Sequence, residues 1–170
     1  EKCVLRAASG KDAEAVLGVF RSTHAQTDFL LTYPEENSFT YEQELKFLER
    51  TYKSENEIEI CAVLNGKIVG TAGISPVGDK LKNRHRAEFG IAIEKEFWGL
   101  GIGKALTAAC IECAKTAKYS QLELDVVADN SSAVALYKNL GFKEYGRNPR
   151  GFKSKISGYQ ELILMRMELE

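Results

Sequence analysis

The chain has 170 residues, of which 44% are hydrophobic and 28% are charged, and these values fit one soluble domain with a substantial core. Because 23 Lys and Arg residues balance 24 Asp and Glu residues, no global basic field favours nucleic-acid binding. We find no apolar run that could span a bilayer and no signal-peptide pattern, so we expect a cytoplasmic protein without membrane association. No linker or repeat divides the sequence, and residues 1–170 are predicted to form a single domain.

Hydrophobic periodicity predicts the element order β-α-α-β-β-β-α-β-α-β-β. In chain order we predict a strand at 3–8, a helix that opens at Ser9, a helix from Ser38 or Thr40 to about Tyr52, two strands around Asn65-Gly66, a strand at 84–93, a helix at 103–117, a strand at 120–128, a helix ended by Gly141 and two closing strands. The second helix is expected to bury Leu45, Leu48 and either Tyr41 or Tyr52. This order predicts an α/β (α+β) fold, with a mixed, mostly antiparallel sheet of about seven strands flanked by about four helices.

Three glycines alternate in the stretch EFWGLGIGKAL, between a predicted strand and a predicted helix: Gly99, Gly101 and Gly103. The first N–H groups of a helix have no intrahelical partner, and the helix dipole makes that end positive. Glycines let an anion reach those donors without a Cβ in the way, and Lys104 adds a cation. The stretch predicts a site for a pyrophosphate or a similar anion; a flexible connection is the alternative.

Two common nucleotide motifs do not fit this stretch. A Walker loop would need a glycine where Trp98 stands, and a Ser or Thr where Ala105 follows Lys104. A dinucleotide-binding fingerprint would need its third glycine at Lys104, and the chain lacks the alternating βαβαβ order. The expected anion site therefore belongs to another fold.

Asn130 and Tyr137 lie seven residues apart on the next predicted helix, and therefore on the same face of it. Both can face the groove beside the glycine stretch. Asn130 could equally be an N-cap, and Tyr137 a core aromatic residue with its hydroxyl at the rim. Both interpretations of each residue stay open from the sequence.

Cys110 and Cys113 in CIEC formally match a redox or metal-binding C-x-x-C motif. A redox pair needs its first thiol at a helix N-terminus, whereas both cysteines lie inside a predicted helix, on its buried stripe. Zinc would need two further ligands, and the only histidines are His24 and His85. We therefore predict core packing in a reducing compartment and no metal site.

Two segments together resemble the GCN5-related N-acetyltransferases, the GNAT family. AEFGIAIEKEFWGLGIGKAL is similar to the family's acetyl-CoA signature, and VVADNSSAVALYKNLGFKEYG to its second signature, N-x-x-A-x-x-L-Y-x-x-x-G-F. Trp98 departs from the first signature, which has Gln or Arg at this position. The predicted element order matches the family over essentially the whole chain.

The resemblance implies acetyl-CoA as cofactor, in a cleft between the strands at 86–93 and 121–127. The first strand would pair with the pantetheine arm through main-chain groups, and amides of the glycine loop would hold the pyrophosphate. Asn130 would bond the cofactor, and Tyr137 would lie near its sulfur. The implied cofactor-binding residues are Ile91, Ala92, Ile93, Trp98, Gly99, Leu100, Gly101, Ile102, Gly103, Lys104, Asn130, Ala133 and Tyr137.

Acetyl transfer to an amine needs a neutral amine, a stabilised oxyanion and a proton for the leaving thiolate. Tyr137 is the predicted general acid, and a backbone N–H around Ala92 or Ile93 is the predicted oxyanion donor. Glu88 is the favoured base because several family members place a glutamate on this strand. An ion-paired surface glutamate is the alternative for Glu88, and His85 is a second candidate base.

The long connection at 25–39 is expected to bind the acceptor, since in the family this region walls the acceptor pocket. Its expected contacts are Phe29, Leu30 and Tyr33, with Asp28, Glu35 and Glu36 able to attract a cationic amine. A basic segment at 147–160 resembles the family's other acceptor-side loop. The expected reaction is direct acetyl transfer, in a ternary complex, to a small-molecule amine or amino acid. A protein N-terminal or lysine acetyltransferase and a silent acyl-CoA-binding domain are the alternatives, and a homodimer stays open.

Overall fold

A mixed seven-stranded sheet forms the centre of the molecule, in the order β1-β2-β3-β4-β5-β7-β6, in a computed structural model that describes residues 2–170. The strands are β1 (Cys3–Ala7), β2 (Ile58–Leu64), β3 (Lys67–Pro76), β4 (Arg86–Ile93), β5 (Gln121–Val127), β6 (Lys143–Ser154) and β7 (Gly158–Glu168). The helices are α1 (Ala13–Gln26), α2 (Tyr41–Lys53), α3 (Ile102–Thr116) and α4 (Ser131–Leu140). The predicted element order and fold class are confirmed.

Two hydrophobic clusters cover opposite faces of the sheet. The larger cluster packs α3 and α4 against β2 to β5, and its fully buried members include Leu106 and Leu122. The smaller cluster packs α1 and α2 on the other face around Leu48. Side chains alternate between the faces of a strand, so β2 and β3 contribute to both clusters.

Every neighbouring pair of strands is antiparallel except β4 and β5. These two strands are parallel, and they pair only at Arg86–Gln121, Ala87–Leu122 and Glu88–Glu123. Beyond Glu88 strand β4 continues beside β3 alone, while β5 continues beside β7 alone. The sheet therefore opens into a V between its two central strands.

Helix α2 begins where the sequence predicts, but its buried face differs from the prediction. Thr40 caps the helix: its Oγ1 accepts from the Gln43 N–H at 3.2 Å, and Gln43 Oε1 accepts from the Thr40 N–H at 2.9 Å. Leu48 is buried, as predicted. Tyr41 and Tyr52 are 51% and 60% exposed, so the expectation that one of them is buried is wrong.

The basic segment at 147–160 is a long hairpin rather than a loop. Strand β6 extends to Ser154 and β7 starts at Gly158, so the turn is short. Pairing shifts register between Glu144 and Gly146 and between Asn148 and Phe152. The second irregularity contains Pro149, which lacks the N–H that a regular ladder requires. Periodicity fails here because two bulges break the alternation.

We expect Asp12→Asn to lower the free energy of unfolding at pH 7 by about 1 kcal/mol. Two Arg6 N–H groups donate to the Asp12 carboxylate at 2.8 Å, and this pairing holds the Asp12 pKa below its usual range. The stabilisation is therefore present above the unfolded pKa and disappears as pH falls through the native pKa. Urea denaturation at pH 7 and near pH 3 measures the loss.

Asp79→Asn is the matched control, because Asp79 is 89% exposed and lies 3.9 Å from Lys80. Its stability should stay within about 0.5 kcal/mol of the wild-type value. An equal loss in both variants, or a loss for Asp12→Asn that is as large at pH 3 as at pH 7, would contradict the assignment.

Candidate active site

The V between β4 and β5 exposes main-chain groups of β4. The main-chain groups of even-numbered β4 residues bond to β3. At the two ends, the Glu94 N–H donates to the Val69 carbonyl, and the Arg86 carbonyl accepts from the Val77 N–H. Residues with odd numbers face β5, as the His85 carbonyl shows by accepting from Ser120. Beyond Glu88, where β5 turns away, the N–H and C=O groups of Ile91 and Ile93 point into the opening. The peptide group of Ala92 points to β3.

The glycine loop lies at the wide end of the V and starts helix α3. Gly99 and Gly101 have φ values of 76° and 84°, which side chains strongly disfavour, and Gly101 is the N-cap. The helix runs from Ile102, with its first intrahelical bond from the Ala105 N–H to the Gly101 carbonyl at 3.1 Å. The loop is exposed from Trp98 to Gly101, so the first-turn amides are open to an anion.

Trp98 fastens the glycine loop to the end of β4. Its indole Nε1–H donates to the Ile93 carbonyl at 2.8 Å, while 45% of the residue stays exposed. Upstream, the Lys95 N–H donates to Gln26 Oε1 at 2.7 Å and thereby ties the loop to α1. The residue that departs from the family signature thus has a positioning contact in this chain.

Helix α4 borders the loop and presents Asn130 and Tyr137. Asn130 is the N-cap residue, but its side chain makes no capping hydrogen bond, so the amide is available to a ligand. Tyr137 is 6% exposed, and its ring packs edge-on against Phe89 and Phe142, with centroids 6.1 and 5.8 Å away. Burial raises the pKa of Tyr137 to about 12, so the phenol keeps its proton at neutral pH. Ala133 lies between the two residues and packs partly against the core.

On the opposite face of the sheet lies a cavity of about 460 Å³, a size that suits a small molecule. Residues from α1, α2 and the strands β2 to β4 line it, among them Phe20, His24, Phe47, Thr71, Gly90 and Glu88. Glu88 is exposed at this cavity, and the nearby Arg86 pairs with Glu123 instead. Its predicted role as base stays a prediction.

Glu59 is a carboxylate in this cavity that sequence reasoning missed. It lies on β2 directly opposite Gly73 of β3, and a Cβ added at Gly73 would collide with Glu59 Oε2. Burial, with the negative charge of Glu44 as a second cause, raises the pKa of Glu59 to about 7. In EIEICAV this residue alternates with isoleucines, and this pattern predicts that its side chain faces solvent. The only signal in the sequence was the glycine content of the neighbouring strands, which indicates that another group approaches the backbone closely there.

The connection between α1 and α2 packs against the β6–β7 hairpin. The Asp28 carboxylate accepts from Ser154 Oγ at 2.7 Å, from Ser157 Oγ at 2.8 Å and from Gln160 Nε2 at 3.2 Å. The Tyr33 hydroxyl accepts from the Lys155 N–H at 2.8 Å. A second cavity of about 190 Å³ lies between the two segments, and Leu30 and Tyr33 line it. Phe29, the third predicted contact, is not among its lining residues.

The CIEC cysteines lie inside α3, away from both cavities just described. Cys110 is fully buried, and burial raises its pKa; the pKa of the half-buried Cys113 is raised by the same cause. Thiols with raised pKa values are poor nucleophiles at neutral pH, so core packing explains this pair. Within residues 2–170, no three His, Cys, Asp or Glu side chains are grouped so that they could hold a metal ion.

Comparison with known proteins identifies the fold and the family. The profile of the acetyltransferase (GNAT) family matches residues 23–142. The chain belongs to the GNAT acetyltransferase family. A crystal structure of a GNAT-family acetyltransferase from Streptococcus pneumoniae superposes with a TM-score of 0.93 and 30% identity, covering 98% of this chain and 99% of that one. The predicted family and enzyme class are confirmed: an N-acetyltransferase that depends on acetyl-CoA.

Two curated relatives are similar to different extents. The L-amino acid N-acetyltransferase AaaT of Escherichia coli is 28% identical over 144 residues, which cover 84% of each protein. Human N-acetyltransferase 8B is 37% identical over 83 residues, but these span 48% of this chain and only 37% of the human protein. No helix in the part of the chain that the structure describes is long and apolar enough to cross a membrane.

We expect Gly101→Ala to weaken coenzyme A binding about tenfold, because alanine disfavours a φ of 84° by roughly 1 kcal/mol and the loop must shift. Isothermal titration calorimetry with coenzyme A measures the change. Gly18→Ala is the control, since nothing lies within 4 Å of a Cβ added at this position in α1. Equal affinity of both variants and the wild type would contradict an anion site at this loop.

We expect Glu59→Gln to be more stable than the wild type above pH 7, by on the order of 2 kcal/mol. The native pKa is raised to about 7, so between about pH 4.5 and 7 the folded state keeps a proton that the unfolded chain releases. Wild-type stability therefore falls through this window, whereas the Gln variant is unaffected. Thermal unfolding from pH 5 to 8 tests this, with the exposed Glu42→Gln as control. A gap between Glu59→Gln and the wild type that does not change with pH would be evidence against the raised pKa.

Proposed function

We propose that this domain transfers the acetyl group of acetyl-CoA to the primary amine of a small molecule or amino acid, by direct attack in a ternary complex. The observation that carries the proposal is the V between β4 and β5, which lies between the predicted anion site at the glycine loop and a cavity of about 460 Å³. Membership in the GNAT family supports the donor. The amino-acid N-acetyltransferase relative supports the acceptor class.

The donor half of the site is built from main-chain groups. In the proposed complex, the pyrophosphate lies on the amides of Leu100 to Lys104, where the α3 dipole favours negative charge. The pantetheine arm lies along β4 and pairs with the Ile91 carbonyl and the Ile93 N–H, which face the opening, while the Ile93 carbonyl stays with the Trp98 indole. The Asn130 amide, free of a capping role, bonds the cofactor from α4. The Trp98 indole holds the loop against the end of β4 by its hydrogen bond to the Ile93 carbonyl.

The chemistry needs an oxyanion donor and an acid at opposite sides of the thioester carbon. Both predicted donors lie near the loop end of β4, and Ala92 directs its N–H to β3, so we assign the oxyanion to the N–H of Ile91, which faces the opening beside Gly90. Tyr137, buried beside Phe89 at the narrow part of the V, supplies the proton to the departing thiolate. A phenol whose pKa is raised to about 12 stays protonated until the leaving sulfur develops its charge.

The acceptor half lies on the α1 and α2 face. Carboxylates of Glu59 and Glu88 reach its cavity, while aromatic side chains supply apolar contact area. Such a lining suits a cationic amine with an apolar body. An assay of coenzyme A release identifies the acceptor, with L-amino acids, phenethylamine, spermidine and a lysine-containing peptide as substrates. Turnover of the peptide alone would favour the protein acetyltransferase, and binding of acetyl-CoA without any turnover would favour the silent domain.

We expect Tyr137→Phe to lower turnover at least tenfold with little change in coenzyme A affinity, because only the hydroxyl that protonates the sulfur is lost. Single-turnover kinetics and calorimetry measure the two effects separately. Tyr145→Phe is the control, since Tyr145 lies on β6 and is 51% exposed. An unchanged rate for Tyr137→Phe would remove this residue as the acid.

A further inference from the structure

Three residues form a row across strands β2, β3 and β4 on the acceptor face: Glu59, Gly73 and Gly90. Glu59 pairs with Gly73, and Gly73 pairs with Gly90, so all three lie side by side on the same face. The Glu59 carboxylate lies over Gly73, where a Cβ would collide with it. Gly90 is exposed, and nothing lies within 4 Å of a Cβ built there. The two glycines thus form a bare floor between Glu59 and the V.

The spacing of this row places an amine within reach of both reactants. Neighbouring strands lie about 4.8 Å apart, so a carboxylate over β3 is about one strand spacing from Gly90 on β4. The space above Gly90 borders the point where β4 leaves β5, just beyond Glu88. An amine above Gly90 therefore has Glu59 on one side and the proposed position of the thioester on the other.

We propose that Glu59 binds the ammonium group of the acceptor and takes its proton, as a catalytic base distinct from Glu88. This inference rests on the proposed acetyl transfer to an amine. Its basis is the juxtaposition of a partly buried carboxylate, two glycines and the opening of the V in one cavity.

The charges around Glu59 favour a cationic ligand. Other largely buried carboxylates have a basic partner: Asp12 has Arg6, Glu94 has Lys67 and Glu123 has Arg86. Among the described residues, no Lys or Arg forms a salt bridge with Glu59 or with the buried Glu44. The groups that face Glu59 or line its cavity from the packed elements are Glu44 on α2, His24 on α1, Thr71 on β3, Glu57 before β2 and Glu88 on β4.

Neither His24 nor Glu44 supplies a positive charge near Glu59. An ammonium group of the acceptor would therefore be the counter-ion of the Glu59 carboxylate. His24 stacks on Phe20, and burial lowers its pKa, so it adds no positive charge at neutral pH. Glu57 is paired with Arg50. Burial raises the pKa of Glu59 to about 7, which is a suitable value for a base that must exchange protons near neutral pH.

The step balances as follows. The ammonium gives one proton to the Glu59 carboxylate, and the freed nitrogen lone pair forms the N–C bond to the thioester carbon. The C–S bond then breaks, and its electron pair stays on sulfur, which receives a proton from Tyr137. The nitrogen loses its second proton, which restores the Tyr137 phenol through solvent. Glu59 returns its proton to solvent, so one proton is released for each amide formed.

The test compares the pH profiles of kcat/KM for the best amine of the panel in the wild type, Glu59→Gln, Glu88→Gln and Glu55→Gln. We expect the wild-type rate to rise through about pH 7 as Glu59 ionises. Glu59→Gln should lower kcat/KM about 100-fold at pH 7 and should abolish the rise of the rate with pH. Calorimetry should show unchanged affinity for coenzyme A. Glu55→Gln, an exposed change four residues upstream, should match the wild type.

The outcomes separate this inference from the proposed function. Wild-type protein that turns over no amine overturns the proposed function and this inference with it. An active wild type overturns only the inference if Glu59→Gln stays within threefold with an unchanged profile, or if Glu88→Gln alone removes the acid limb. Should Glu59→Gln fail to fold by circular dichroism, Glu59→Asp decides: a tenfold lower rate with the limb retained supports a proton-accepting carboxylate, and a wild-type rate contradicts it.

Discussion

A bidentate ion pair between Arg86 and Glu123 joins β4 and β5 along the short stretch where the two strands are paired. Arg86 Nε and Nη2 each lie 2.6 Å from a carboxylate oxygen, and this pairing raises the pKa of the guanidinium further. Charge-assisted bidentate pairs of this kind combine strength with fixed geometry. The pair stands across the three-residue parallel ladder, which ends at Glu88 and Glu123. The opening of the candidate site begins beyond this vertex.

The divergence of the strands separates two tasks that would otherwise interfere. A pyrophosphate needs positive potential, which the N-terminus of α3 supplies on one side of the sheet. A cationic amine needs negative potential, which the carboxylates of Glu59 and Glu88 supply on the other. Had the strands stayed paired, a continuous ladder would close the passage between these surfaces. In the proposed complex, the opening lets opposite charges act on two substrates that meet only at the thioester.

Much of this arrangement was predictable, because periodicity and local motifs encode it. The strand and helix order, the glycine loop and the N-cap of α2 follow from patterns within about ten residues. The exposed Tyr41 and Tyr52 escaped prediction because the way α2 packs on the rest of the fold decides which side of the helix is covered. The extent of β6 escaped because two bulges interrupt its alternation.

Cross-strand neighbours account for the largest gap between sequence and site. Glu59, Gly73 and Gly90 are each unremarkable in their own segments, and only strand register brings them into one row. The contact of Trp98 with the Ile93 carbonyl likewise depends on how the loop folds back. The peptide groups of Ala92 point to β3 and those of Ile93 point into the opening. Which of the two does so depends on the hydrogen-bond pairing of β4 with β3. Register is a long-range property, and a single sequence carries it weakly.

The open V also gives the protein two strand edges in the middle of its own sheet. Unpaired N–H and C=O groups on a strand are templates on which another chain can polymerise, and natural sheets usually hide them at their margins. Here α3 and α4 cover one side, and the Trp98 indole occupies the last inward carbonyl of β4. A bound pantetheine would act as a removable strand that covers the rest. In the proposed complex, occupancy of the cofactor site thereby also protects this strand edge from pairing with another chain.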